Sequence, residues 1–345
     1  MVCWIGHEAR HDPEGVRSLV QSLGAAVLAT PRGKGIVSER DPAFLGVTGL
    51  GGARGVRERL AQTPPDVGLV LGCRLSEFSS WWDESLVPPQ GFISVGPNPS
   101  TAAFPDAEAL SLHVDVGRFA RALAASNTPT QPFTPPPALP REVCTPSGDG
   151  IHPIELMNAI QDEVVDRTEA TILSEAGNAF AWATRSLQFE QPRYRVSPDF
   201  GSMGHAAAGV VGTALAHRRP CVALVGDGAM LMNTELNTAV QHDAPAVWVV
   251  LNDAGYGMIR HGMEAIGETP SGTAFPRVDF VAFARAQGAD GLAVEHPAGL
   301  RSALRAAIHA RKPFVVDVRM DATIPPPFGS RNSTLTAGEM TTWRG

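Results

Sequence analysis

Absences narrow the field first. The chain has four cysteines, Cys3, Cys73, Cys144 and Cys221, and no Cys-x-x-Cys pair. That removes the sequence signal for iron–sulfur clusters and for a dithiol redox centre; the four read as reduced, mostly buried thiols. No apolar run reaches the roughly 20 residues that a bilayer span requires. The N-terminus, MVCWIGHEARHD, lacks the basic flank and apolar stretch of a secretory signal. Basic residues are not in excess: 28 Lys and Arg face 35 Asp and Glu, a formal charge of −7, which argues against nucleic-acid binding through a basic surface. No solenoid-length repeat occurs. The exclusions leave a cytoplasmic globular protein with no nucleic-acid or membrane partner.

What is present is alternation. The 345 residues are 43% hydrophobic and 18% charged, enough for two domains with sizeable cores. Short apolar runs at 2–6, 25–30, 67–72 and 91–96 predict strands, and helical patterns fall at 13–23, 53–62 and 116–124. SNTPTQPFTPPPALP at 126–140 carries six prolines and predicts a semi-rigid linker. The pattern then resumes. Helices are expected at 153–165, 178–186, 229–242, 278–287 and 298–311, with strands at 171–177, 221–227, 246–253 and 313–320. Continuous apolar strands between helices imply α/β architecture, with two parallel, doubly wound sheets. The boundaries expected are a first domain at 1–125, a Pro-rich linker at 126–150 and a second domain at 151–345.

One motif asks for chemistry. In VALVGDGAM the strand ends on Gly226-Asp227-Gly228 and a helix follows. Ligands of open parallel sheets bind at the carboxyl ends of strands, and the helix start offers free N–H groups to an anion. A phosphate there would be repelled by Asp227 unless a hard cation such as Mg²⁺ lay between them. Alone, Gly-Asp-Gly is equally an ordinary turn. The next strand, AVWVVL, ends in Asn252-Asp253-Ala254-Gly255-Tyr256-Gly257, and Asp253 follows Asp227 by 26 positions. That interval fits one helix and one returning strand. Neighbouring strands lie roughly 4.8 Å apart, so the two aspartates can share one ion.

Gly-Asp-Gly, an interval in the mid-twenties and an Asn/Asp pair resemble the fingerprint of thiamin-diphosphate (ThDP) enzymes, and other stretches resemble the acetolactate-synthase/pyruvate-oxidase group. These are Phe200-Gly201-Ser202-Met203-Gly204, Ser174-Glu175-Ala176-Gly177-Asn178, Asn233-Thr234-Glu235-Leu236, Thr30-Pro31-Arg32-Gly33-Lys34-Gly35 and Leu45-Gly46-Val47-Thr48-Gly49. The resemblance spans nearly the whole chain. It implies a Rossmann-like central domain followed by a ThDP-binding domain. Asp227 and Asp253 would hold Mg²⁺ together with the Gly255 carbonyl. Where that group usually has asparagine as the second ligand, this chain has Asp253. Gly177, Asn178, Gly228 and Ala229 would hold the diphosphate. Many relatives have glutamine and histidine at the positions of Asn178 and Ala179. Met203 would bend the cofactor into its reactive V, and Gly201 would offer a backbone oxygen to its aminopyrimidine; these are the residues implied in catalysis. Ser202, Gly226, Tyr256, Gly257 and Met258 complete the implied cofactor contacts, with Met258 and Ile259 starting a helix along the substrate pocket.

Other residues have plainer readings. His205 is expected to be a packing residue and Glu235 a surface or buried structural carboxylate. Arg32 and Lys34 suggest a solvated loop more than an anion site, and Met203 in isolation could be core filler. Trp81-Trp82 reads equally as interface or core. Arg74 stands where flavin-binding relatives have arginine, but the acidic residues after it are replaced, so FAD is doubtful.

Relatives of this group are three-domain chains, and only the central and last domains are recognisable here. The pyrimidine-binding domain supplies the glutamate that activates the cofactor. No local carboxylate replaces it: Glu175 belongs to the diphosphate end. The resemblance therefore implies one subunit of a split enzyme, completed by a separate pyrimidine-domain subunit, with a dimer of heterodimers as the simplest closed assembly. Met1 just before a strand fits a gene start, although a cloned fragment would look the same. The implied reaction is decarboxylation of a 2-oxo acid such as pyruvate, followed by carboligation through a ThDP enamine to an acyloin or 2-hydroxy-2-acyl product. Alternatives are decarboxylation without carboligation, an oxidoreductase subunit, and a non-catalytic cofactor-binding subunit.

Overall fold

A computed structural model describes residues 1–100, 103–126, 133–137, 140–144, 149–197, 199–232 and 235–327. Much of the expected linker and the pair Asn233-Thr234 lie outside the described residues. The chain forms two compact units, Met1–Arg141 with Gln188–Arg193, and Glu142–Leu187 with the chain from Tyr194 onward.

The first unit is built on strands β1 (Val2–Ile5), β2 (Ala26–Ala29), β3 (Phe44–Val47), β4 (Gly68–Leu71), β5 (Phe92–Gly96) and β6 (Ala109–His113). They pair in parallel in the order β3-β2-β1-β4-β5-β6, the doubly wound order of dinucleotide-type sheets. β1 and β2 are buried throughout, which is why they read as unbroken apolar runs. One face packs on the helices Pro13–Leu23 and Val116–Ser126 through Val16, Leu19, Val116 and Ala120. The other packs Trp4 and Leu28 on Val56 and Leu60 of the helix Val56–Gln62. The first of these helices carries its own boundaries: Asp12 Oδ1 accepts from the Gly15 N–H at 3.1 Å, Pro13 takes the first turn, and Gly24 ends it at φ 56°.

Two strands of this sheet, β3 and β6, went unrecognised in the sequence. Both lie at sheet edges. β6 is largely exposed, so its apolar pattern is weak, and Gly46 interrupts β3.

The loop expectation for Lys34 is overturned. Lys34 and Glu39 form a buried ion pair at 2.7 Å, with side chains 1% and 3% exposed. Glu39 Oε1 also accepts from the Phe189 N–H at 3.3 Å, and the ammonium lies 5.8 Å from the Phe189 ring centroid. A solvated reading failed because the Phe189 ring and N–H that enclose this local pair come from a distant part of the chain.

The second unit contains β7 (Thr171–Ser174), β8 (Tyr194–Val196), β9 (Cys221–Gly226), β10 (Ala246–Asn252), β11 (Asp290–Val294) and β12 (Phe314–Arg319). Their order is β11-β12-β10-β9-β7-β8, again all parallel. β10 is buried along its whole length; its Trp248 donates from Nε1 to the Ala207 carbonyl at 2.8 Å, satisfying the one polar atom of a fully enclosed ring. The edge strands β8 and β11 were missed, for the same lack of two-sided burial.

Two helix expectations are corrected. The helix at 153–165 is α-helical over Pro153–Ile160 and continues as a π-helical turn, Gln161–Val165. The single helix at 229–242 is two helices, Asp227–Met230 and Leu236–Gln241. Among the described residues no helix is long and apolar enough to cross a membrane.

Removing one partner of the Lys34–Glu39 pair leaves an uncompensated buried charge, which costs about 3–5 kcal/mol. Lys34→Met is expected to lower the urea midpoint accordingly, and Lys34→Met with Glu39→Gln to recover part of it. Equal stability of the wild type and Lys34→Met would contradict the burial of this pair.

Candidate active site

β7, β9 and β10 are neighbours, so the loops leaving their carboxyl ends lie side by side. From β7 comes Glu175-Ala176-Gly177, opening the helix Asn178–Ser186. β9 runs directly into the helix Asp227–Met230. Beyond β10, residues 253–256 lead to the helix Gly257–Ala265. Leu251 is in register with Gly226, which places Asp253 just beyond the level of Asp227.

Asp227 is almost wholly buried, at 1% exposure. Its Oδ1 accepts from the Gly228 N–H at 2.8 Å and its Oδ2 from the Gly255 N–H at 3.2 Å. Burial, and then the charge of Asp253, push its carboxyl up to about 7 against these donors. Asp253 is likewise pushed upward, chiefly by burial, with Arg260 opposing. Two like charges are thus held close together away from water, an arrangement that favours either a proton or a cation.

The β10 loop is shaped for this. Ala254 takes a left-handed φ of 56°, a conformation costly for a residue with Cβ. Residues 254–256 pair with 273–275: Tyr256 N–H donates to the Thr273 carbonyl at 2.7 Å and Phe275 N–H to the Ala254 carbonyl at 3.2 Å. Gly255 sits between those bonds, opposite Ala274. Its own N–H and C=O therefore turn away from that partner, and the N–H meets Asp227. A Cβ at Gly255 would lie 2.5 Å from the Thr273 carbonyl oxygen, so only glycine fits. At Gly228 a Cβ would lie 2.7 Å from the Tyr256 ring, which packs edge-on against Phe275.

The pair Asn252-Asp253 divides its work. Asn252 Nδ2 donates to Asp317 Oδ1 at 2.9 Å and to the Val278 carbonyl at 3.0 Å, and its Oδ1 accepts from Arg277 at 3.1 Å. Asp317 Oδ2 in turn accepts from the Phe280 N–H at 3.2 Å. Asn252 is a structural residue fixing the end of β10, and Asp253 belongs to the site.

Glu175, set aside in the sequence, connects two loops. It is fully buried, and its Oε2 accepts from the N–H groups of Ala206 and Ala207 at 3.2 Å each. It thereby caps the helix His205–His217 and ties the β7 loop to the turn Gly201-Ser202-Met203-Gly204. Burial raises its carboxyl, against these backbone donors. That turn uses positive φ at Gly201 and Gly204 and leaves Met203 44% exposed, so Met203 is not core filler. His205 is exposed, against the expectation of a packing residue, and Glu235 is half-buried. Ala229 is buried in the short helix, and the Met258 side chain starts 3.7 Å from where a Cβ of Gly177 would lie.

The cleft fits an anion with a bridging cation. Asn178 Oδ1 is buried and without a partner. A Cβ on Gly226 would meet no atom within 4 Å, so space is open above the strand end. Among the described residues no three His, Cys, Asp or Glu side chains gather into a metal cage, so a cation between the two carboxylates would complete its shell with carbonyl, water or phosphate oxygens.

Comparisons with known proteins agree with this geometry. Residues 1–123 match the family model described as thiamine pyrophosphate enzyme, central domain. Residues 175–318 match that of the C-terminal TPP binding domain. A protein of Mycobacterium tuberculosis named as an acetolactate synthase large subunit is 32% identical over 343 residues, 94% of this chain and 60% of the relative. An acetolactate synthase of Bacillus subtilis is 31% identical over 176 residues, half of this chain and 30% of the relative. Among solved structures, the ThDP-dependent 4-hydroxybenzoylformate decarboxylase of Rhodococcus jostii superposes with a TM-score of 0.75 at 25% identity, covering 93% of this chain and 61% of that one. The chain thus spans about 60% of the length of the first of these relatives. It belongs to the thiamine-pyrophosphate enzyme family, of which it carries the central and C-terminal TPP-binding domains.

Proposed function

We propose that this chain is the central and diphosphate-binding part of an acetolactate-synthase-like decarboxylase and carboligase acting on a 2-oxo acid such as pyruvate. The observation that carries the reading is the pair of carboxylates, buried Asp227 and half-buried Asp253, at the ends of adjacent strands beside Gly255. In this reading Asp227, Asp253 and the Gly255 carbonyl hold Mg²⁺. Gly177, Asn178, Gly228 and Ala229 hold the diphosphate at two helix starts, Gly228 by close approach of its backbone, since its N–H already donates to Asp227 Oδ1. Bound ThDP supplies the carbon nucleophile and electron sink for decarboxylation. Met203, projecting from its glycine-flanked turn, supports the bent cofactor, and Gly201 offers a carbonyl oxygen to the aminopyrimidine. Tyr256, Gly257 and Met258 shape the wall beside them, with Ser202 and Gly226 lining the approach.

The activating glutamate, in this proposal, comes from a pyrimidine-binding domain outside these 345 residues, which we place on a partner chain, with two such pairs in the assembly. Support comes from the apolar side chains exposed around the site: Phe200 at 92%, Ile259 at 58%, Met232 at 57% and Met203 at 44%. Such a patch is a surface for another protein layer. Glu175 does not serve instead, because backbone N–H groups occupy its Oε2. Carboligation is favoured over decarboxylation alone by the acetolactate synthases among the relatives.

A flavin is not part of the proposal. Arg74 stands where flavin-binding relatives have arginine, but the acidic residues expected after it are replaced.

Four outcomes are expected. Calorimetry of the chain with its pyrimidine-domain partner should register ThDP association that needs Mg²⁺, and the mixture should consume pyruvate. Asp227→Asn should weaken that association by on the order of 100-fold or more, since even outer-shell metal partners are worth 10–100-fold; no heat of association in the wild type would overturn the proposal. The purified chain should lack a visible flavin absorption band; finding one would reinstate FAD. Burial, and then the charge of Asp253, push the Asp227 carboxyl of the metal-free chain up to about 7, well above the ordinary aspartate range, so between the two the folded state holds more protons than the unfolded. Stability should therefore fall as pH rises from about 4 to about 7, and Asp227→Asn should flatten this slope in urea titrations.

A further inference from the structure

The two carboxylates of the site are not equivalent. Asp227 is held by backbone N–H groups. Asp253 is held by a cation: Arg260 Nη2 donates to its Oδ2 at 2.8 Å, the two side chains being 16% and 13% exposed. No other side chain of the described residues donates to Asp253. Arg260 lies in the helix Gly257–Ala265 that begins four residues after Asp253. Its other nitrogen, Nη1, is 3.2 Å from where a Cβ of Gly255 would stand, so the guanidinium lies against the strained loop itself.

Arg260 is also fixed from behind. The same Nη2 donates to the Ala322 carbonyl at 3.0 Å, and that carbonyl also lies 3.0 Å from His261 Nε2. The turn carrying Ala322 is closed by Asp321 Oδ1, which accepts from the Thr323 N–H and hydroxyl at 2.9 and 2.6 Å. It is joined to the start of the unit by the Asp321 N–H donating to the Ile151 carbonyl at 3.0 Å. A guanidinium whose one nitrogen is shared between the Asp253 carboxylate and a backbone carbonyl, on a side chain only 16% exposed, is a built component of the site, not a surface residue that happens to lie nearby.

We infer that Arg260 is a positioning residue that makes Asp253 a one-oxygen, charge-compensated ligand and so sets which divalent cation the site prefers. This rests on the Mg²⁺–diphosphate reading of the site. With Oδ2 committed to Arg260, Asp253 offers a cation only Oδ1. Mg²⁺ accepts single carboxylate oxygens in a tight octahedron, whereas Ca²⁺ gains from bidentate carboxylates and looser geometry. The charge count points the same way. Asp227 and Asp253 carry two negative charges and Arg260 one positive, so the site presents a net single negative charge to the cation. A diphosphate then adds its own charge without facing two bare carboxylates.

The test is cation binding, read without turnover. Mg²⁺ and Ca²⁺ are titrated calorimetrically into the chain, alone and with ThDP and the partner present, for the wild type, Asp253→Asn, Arg260→Met and the double variant. Asp253→Asn alone leaves Arg260 uncompensated and should weaken Mg²⁺ binding on the order of tenfold, the size of one nearby charge in a partly screened site. Adding Arg260→Met should restore it toward wild type. Arg260→Met alone should bind both cations more tightly and shift the preference toward Ca²⁺. If that variant does not fold, the comparison of Asp253→Asn with the double variant still decides. No recovery in the double variant overturns the inference. So does lost ThDP affinity at unchanged cation affinity in Arg260→Met, which would make Arg260 a diphosphate ligand. A wild-type chain that binds neither cation nor ThDP overturns the site reading itself, and is told apart from the other failures because it shows in the wild type.

Discussion

Two like charges held together out of water are the constraint around which the second unit is organised. A parallel sheet brings the ends of β9 and β10 side by side, and each ends on an aspartate. Asp227 is buried and Asp253 keeps only a small exposed fraction, so each is met by a donor. Asp227 is met by the backbone, and this in turn requires Ala254 to adopt a left-handed conformation and Gly255 to lie flat against the Thr273 carbonyl. The strain and the glycine are consequences of the charge placement. Strain of this kind persists where the surroundings over-determine it, and here the pairing of 254–256 with 273–275 does so.

The same logic joins the remaining loops. Glu175 is a third buried carboxylate at this sheet edge, and it too is met by backbone N–H groups, those at the start of the helix His205–His217. A carboxylate at a helix N-terminus is favoured by the helix dipole as well as by the free donors. The cap fixes the turn carrying Met203 relative to the β7 loop. A fully buried side chain thus fixes the spacing between the two loops.

How legible this was depended on distance along the chain. Gly226-Asp227-Gly228 and Asn252-Asp253 were readable because strand, turn and helix start are local, and the strands that carry them are buried on both faces. The edge strands β6, β8 and β11 were not readable, because an edge needs no continuous apolar run, and in β3, buried throughout, Gly46 interrupts the pattern. Glu175 acts on residues 31 and 32 positions away and Asn252 on Asp317 at 65, so nothing local distinguished the Glu175 cap or the Asn252–Asp317 bond. Lys34 was misread for a related reason: its acid partner Glu39 is local, but charge in a glycine-rich loop looks solvated until Phe189, 150 positions from Glu39, closes over the pair. Arg260 is a different case. It is only seven positions from Asp253, and an acidic residue in a strand end followed by an arginine one helical turn into the next helix is a pattern that could have been sought.

The neighbours Asn252 and Asp253 show why that pairing has to exist. Adjacent residues at a strand end point to opposite sides, so one can brace the sheet while the other faces the cleft. Asn252 braces: it reaches Asp317 and Arg277, where an uncharged amide that both donates and accepts is the suitable group. Were the carboxylate at 252, it would stand against Asp317 with no donor to offer it. At 253 a carboxylate is tolerable only because a guanidinium takes one of its oxygens. The acid and amide therefore cannot exchange places, and the charge at 253 implies the arginine that accompanies it.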